Sequence, residues 1–232
     1  MLKNNIRLDT CEDFDIEIKY DHLYKIILIG DTCVGKTALL SKYLKGVFPV
    51  SPLSTVATEF ATKIIQIKEG GYVKAQIWDT AGEEKYRSIT YHHYKKSVGG
   101  IIVYDITKRS TFENVKNWYQ DLVTLGEKGI VVALVGNKLD LIENNERKRE
   151  VNKFEAKAFS EKYNMLFYET SAFNGKNIND IFEELLQNIY TERRKIPELK
   201  ERDDLLKNQN IINLKNGISI NSNYNSDDFC NC

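Results

Sequence analysis

The chain has 232 residues, 42% of them apolar and 28% charged, with 33 basic and 33 acidic side chains. That balance leaves no global field to draw it onto nucleic acid or an anionic bilayer, and no apolar run approaches the roughly 20 residues of a membrane span. Four cysteines, Cys11, Cys33, Cys230 and Cys232, are too scattered or too terminal for a disulfide framework, which points to a reducing compartment.

Residues 1–22 mix acidic and apolar side chains without the continuous apolar core of a signal peptide and read as an N-terminal extension. From 23 to 191, short β-branched runs alternate with amphipathic stretches. This is the pattern of one α/β domain, a six-stranded, mostly parallel sheet flanked by helices. The predicted strands are KIILIG, EFATKIIQI, YVKAQIWD, GIIVYDI, VVALVGN and MLFYETS. Helices are expected to start near Thr37, Ser110, Lys153 and Asn179, with Ser110 and Glu113 spaced as a capping box. Residues 142–153 read as an exposed charged loop. Residues 192–232 are too polar to bury a core and are expected to form a flexible tail.

Between the first predicted strand and helix stands Gly30-Asp31-Thr32-Cys33-Val34-Gly35-Lys36-Thr37, which fits the phosphate-loop pattern GxxxxGK[ST]. Main-chain N–H groups from Gly30 to Ala38 can converge on phosphate, Lys36 can reach the outer phosphates as a point charge, and the Thr37 hydroxyl can ligate Mg²⁺. Such a loop binds a nucleotide without choosing the base. The choice falls to Asn137-Lys138-Leu139-Asp140, because a carboxylate can accept from both N1–H and N2–H₂ of guanine, a donor pair that adenine lacks. Asp79 ends the strand AQIWD at the carboxyl edge of the sheet, where it can support Mg²⁺. Gly82 can bring its N–H against a terminal phosphate, a contact that exists only while that phosphate is present.

The stretches GDTCVGKT, STVATEF, QIWDTAGEEKYRSI, YKKSVGGIIVYDIT, STFENVKNW, LVGNKLDL and ETSA resemble the Rab family of small GTPases from Tyr24 to Tyr190, in the branch associated with recycling endosomes. The resemblance implies that Thr55 ligates Mg²⁺ and touches the γ-phosphate through its backbone, and that Phe48 lies against the guanine. Ser171, Ala172 and Phe173 would contact the base. Phe60, Trp78 and Tyr94 would form the aromatic surface that effectors read. Cys230 and Cys232 match the double-cysteine tail that receives geranylgeranyl lipid, and two lipids anchor stably where one does not. Exchange factor, GTPase-activating protein, GDP-dissociation inhibitor and prenylation escort follow as partners. The location would be the cytoplasmic face of endosomal or Golgi-related membranes, with a soluble pool.

Several positions depart from the family pattern. Glu83 replaces the usual Gln after DTAG, Ala57 and Lys96 replace usual glycines, and Cys33 is unusual in the phosphate loop. Ionised Glu cannot donate a hydrogen bond and sets a negative charge near the γ-phosphate, so GTP hydrolysis, with Lys36, Thr55, Gly82 and Glu83 as catalytic groups, is expected to be slow. The alternative is a nearly inactive, GTP-bound membrane scaffold. An ATP-dependent P-loop kinase is disfavoured by NKLD. His92 and His93 have no metal-ligand partners in view and are assigned to surface or packing.

Overall fold

The computed structural model describes residues 20–49, 59–68, 71–80 and 93–205. Thr55, Gly82, Glu83, Cys230, Cys232 and residues 1–19 of the N-terminal extension lie outside them. Six strands, β1 (His22–Ile29), β2 (Glu59–Ile67), β3 (Gly71–Asp79), β4 (Gly99–Asp105), β5 (Val131–Asn137) and β6 (Leu166–Glu169), form one sheet in the order β2-β3-β1-β4-β5-β6. The link from Ile67 to Gly71 is too short for a crossover, so β2 returns antiparallel on β3. Every other pairing is parallel.

Among the described residues the helices packed on the sheet are α1 (Lys36–Lys45), α2 (Arg109–Glu113), α3 (Val115–Leu125), α4 (Leu139–Glu143), α5 (Lys153–Lys162) and α6 (Ile178–Lys195). Alternation along the central strands divides the core between two faces. Ile26, Leu28, Ile101 and Val103 meet α1 and α6, where Tyr43 stacks on Phe182 at 3.9 Å between ring centres. Ile27, Ile29, Ile102 and Tyr104 meet α2, α3 and α5 through Phe112, Trp118, Leu122 and Ala156. β4 is buried along its whole length, as a strand covered on both faces must be.

Local structure departs from the sequence reading at three places. Ser110 does not cap its helix, because α2 begins one residue earlier, after Lys108. The free N–H of Arg109 instead donates to Glu150 Oε2 at 2.8 Å, and Thr111 Oγ1 donates to Lys108 O at 2.7 Å. The short helix α4 had no signal in the sequence; Leu139 N, at its start, donates to Thr170 O at 3.0 Å. The charged stretch before α5 is partly structural, since the Arg149 guanidinium donates to both carboxylate oxygens of buried Glu169. Asn152 then caps α5 by accepting from Phe154 N at 2.8 Å.

Packed structure also runs on beyond residue 191. Helix α6 continues to Lys195, and residues 197–205 form a further helix turned back onto the domain. There Asp203 accepts from Arg193 Nε at 2.9 Å and Nη2 at 2.7 Å. The Tyr24 hydroxyl reaches the same carboxylate at 3.4 Å, and Glu127 pairs with both Arg193 and Arg202. Arg193 and Asp203 are 5% and 7% exposed, so residues that composition assigns to solvent form a buried ion pair. Burial and the Asp203 charge push the Tyr24 phenol far up.

Lys96 adopts φ +62°, a left-handed conformation that costs a side chain about 1–2 kcal/mol. This explains in physical terms why glycine is the usual residue there.

Candidate functional site

The phosphate loop leaves the carboxyl end of β1 and enters α1, and two glycines make its path possible. Gly30 sits at φ +137°, and a Cβ there would lie 2.1 Å from Val103 O of the neighbouring strand. Gly35 sits at φ +97°, and its Cβ would lie 2.4 Å from Asn137 Nδ2. That amide donates to Val34 O at 3.0 Å, so the backbone itself must come close. Lys36 is 5% exposed and donates to Gly30 O at 2.9 Å and Asp31 O at 3.0 Å. Burial pushes its ammonium down to about 8, against the opposing pull of the Asp79 and Asp31 carboxylates.

That depression is expected to make phosphate binding at this loop pH-dependent. Near pH 8 about half of the free protein has lost the Lys36 proton, whereas bound phosphate would favour the charged form. Binding therefore takes up a proton there, and affinity falls as pH rises. Calorimetric titration with GDP at pH 8.5 in two buffers of different ionisation enthalpy is expected to show that uptake. Heats independent of buffer would contradict it.

Thr37 Oγ1 lies 2.5 Å from Oδ2 of Asp79, which is fully buried at the end of β3. A hydroxyl and a carboxylate are hard oxygen donors, a set that fits Mg²⁺. Thr55 and Gly82 lie outside the described residues.

On the opposite side of the loop, Asn137 joins three segments. Besides holding Val34, its Oδ1 accepts from Thr170 Oγ1 and from Ala172 N, each at 3.2 Å. Lys138 takes φ +70° and sends its ammonium to Asp105 Oδ2 at 2.7 Å. Ser171 Oγ donates to Asp140 Oδ1 at 2.6 Å. Phe48 and Phe173 meet edge to face at 5.6 Å and remain 37% and 59% exposed. The fold thus brings Gly30, Asp31, Val34, Gly35, Lys36, Asn137, Asp140, Ser171 and Ala172 into one constellation through the contacts named. Ala38 and Val34 pack into the core, leaving only their main chains for a ligand, while Cys33 is exposed with a free thiol. Asp105 and Thr170, which orient Lys138 and Asn137, were not singled out in the sequence. Both lie inside recognisable stretches, but their partners are distant in the chain.

The aromatic surface differs by one residue from expectation. Phe60 pairs across strands with Trp78, their rings 5.0 Å apart, and Phe60 is 49% exposed. Tyr94 is 1% exposed and belongs to the core. The ring beside Trp78 is His93, at 5.2 Å.

The sheet order, the two helical layers and the glycine-built loop together define an α/β P-loop domain of the small-GTPase class. Residues 25–191 match the Ras family model, and the chain belongs to the Ras family. Within it, the chain is 46% identical to Ras-related protein Rab-11A of Dictyostelium discoideum over 172 residues, 74% of this chain and 78% of that protein. It is 40% identical to Ras-related protein RABA1b of Arabidopsis thaliana over 208 residues, 89% and 94% of the two chains. Ras-related protein RABA1g of Arabidopsis thaliana is 48% identical over 171 residues, 74% and 76%. Among the described residues no helix is long and apolar enough to cross a membrane.

Proposed function

We propose that the chain is a Rab-type switch of vesicle traffic, recruiting effectors in its GTP state and releasing them after hydrolysis to GDP. The observation that carries this reading is Asn137, whose amide ties the phosphate loop to the segment that orients Asp140. One polar network can thereby serve both ends of a guanine nucleotide. Thr37 and Asp79, with Thr55, would hold Mg²⁺, which supplies charge neutralisation to the phosphate oxygens. Lys36 and the loop amides bind the outer phosphates and stabilise charge as water attacks the γ-phosphorus in line, with GDP as leaving group. Phe48, Ser171, Ala172 and Phe173 would border the base.

Glu83 sets the rate. A carboxylate repels the anionic γ-phosphate and cannot donate to align water, and the loose transition state gains little from early deprotonation. Intrinsic turnover is therefore slow, and Glu83→Gln is expected to raise it about tenfold or more. Single-turnover hydrolysis of preloaded GTP, at saturating Mg²⁺ and without activator, compares the two. Equal rates, or a slower Gln variant, would refute this role. A wild-type protein with no measurable turnover would favour the GTP-bound scaffold instead. Exchange factor, GTPase-activating protein, GDP-dissociation inhibitor and prenylation escort are the partners of such a cycle.

Membrane attachment is assigned to geranylgeranyl groups on Cys230 and Cys232, on endosomal or Golgi-related membranes. Seven basic and seven acidic residues from Glu192 onward give no electrostatic substitute. Mass spectrometry of the C-terminal peptide from cells is expected to show two lipid adducts. Unmodified cysteines in a membrane-bound pool would rule this anchor out.

A further inference from the structure

The phosphate loop hangs between two supports. Its second half is held at Val34 O by Asn137. Its first half is held by a side chain that points away from the phosphate cradle. Asp31 Oδ2 accepts from Asn114 Nδ2 at 2.8 Å, and Asp31 Oδ1 accepts from Trp118 Nε1 at 2.8 Å. The two donors lie four residues apart, at the start and on the first turn of α3, and therefore on one helix face. Trp118 is 7% exposed and packed with Leu122 and Phe112, so this support belongs to the rigid core. The main-chain oxygen of Asp31 is one of the two acceptors that seat Lys36.

We infer that Asn114 and Trp118 are positioning residues for phosphate binding, acting on the loop through the Asp31 carboxylate. Two neutral donors on one anionic acceptor fix both oxygens, which fixes the Asp31 Cα and hence the direction of the carbonyl beside Lys36. Hydrogen bonds to a charged acceptor are roughly twice as strong as neutral ones. Neither donor needs to touch the nucleotide. Without them the first half of the loop loses its side-chain tie to the core and keeps only the Lys36 contacts to Gly30 O and Asp31 O and the close approach of Gly30 to β4. The loop then presents its amides and Lys36 in more than one arrangement, and bound phosphate is released faster.

The inference rests on the nucleotide reading above, and GDP release from the full chain tests it directly. Trp118→Phe and Asn114→Ala should each accelerate release about tenfold, the weight of one hydrogen bond to a charged group. Asp31→Asn, which offers one oxygen to two donors, should do the same. Combining Asp31→Asn with Trp118→Phe should add little, because both break one link. The acceleration should persist in excess EDTA, since the loop rather than the metal ligands is disturbed. In a Trp78→Phe background, where Trp118 is the remaining tryptophan, GDP release should also change the indole emission. A purely structural role would lower the melting temperature while leaving release rate and emission unmoved, and that result would overturn the inference. If Trp118→Phe fails to fold, Asn114→Ala decides, because Asn114 is only half-buried and outside the apolar clusters. Wild-type protein that holds GDP tightly while all variants release it within twofold of wild type sinks the positioning role alone. Wild-type protein that does not bind GDP sinks the nucleotide reading beneath it.

Discussion

Asp140→Asn protein is expected to bind GTP about 3–5 kcal/mol more weakly than wild type and to prefer xanthine nucleotides. Ser171 Oγ already occupies one side of the Asp140 carboxylate, so its remaining acceptor capacity is aimed rather than free to rotate. Guanine offers that carboxylate two N–H donors, and Asn can accept only one while its amide faces the other as a donor. Xanthine carries a carbonyl where guanine carries the amine, which turns that clash into a hydrogen bond. Sites built to pair a polar edge reject its absence strongly, because a buried group is left unsatisfied. Competition of labelled GDP with GTP, XTP and ATP measures the shift. GTP affinity unchanged in the variant would mean that Asp140 does not read the base.

Gly30→Ala should cost about 4 kcal/mol of stability and lower the melting temperature by about 10 °C, abolishing nucleotide binding at physiological temperature. A methyl group there meets the carbonyl of Val103 at 2.1 Å, and that carbonyl belongs to the buried central strand β4, which cannot give way. The φ of +137° adds conformational strain for any residue with a side chain. Gly46, also at positive φ but with open space around it, is the control: Ala there should cost only about 1 kcal/mol. Thermal unfolding of both variants separates collision from backbone strain. Similar losses at the two positions would show that close packing against β4 is not what constrains Gly30.

The nucleotide loop was legible because its chemistry is contiguous: eight residues between a strand and a helix carry the glycines, the lysine and the hydroxyl. Strands were legible because β-branched runs covered on both faces leave few alternatives. What escaped depends on distance in the chain. The bonds from Asn114 and Trp118 to Asp31 span more than eighty residues, and although both donors lie in the recognisable stretch STFENVKNW, nothing there names their partner. Helix α4 is too short for periodicity to reveal. Tyr94 and His93 differ by one residue, which on a helix turns a side chain by about 100°, and here that step separates a half-buried ring beside Trp78 from one in the core. Residues 192–205 misled through composition, since Arg193 and Asp203 look solvated until a turn of chain brings them together.

That turn sets a leash length. Asp203 is held beside Tyr24, near the start of β1, while the phosphate loop leaves the other end of the same strand, about 20 Å away. From residue 205 to Cys230 the chain can span at most about 85 Å, against about 120 Å if it swung free from Lys195. An anchor at the cysteines would therefore pull on the end of the molecule remote from the nucleotide. Loading and emptying would take place on the outward pole, within a working height above the bilayer that the Arg193–Asp203 clasp shortens by nearly a third.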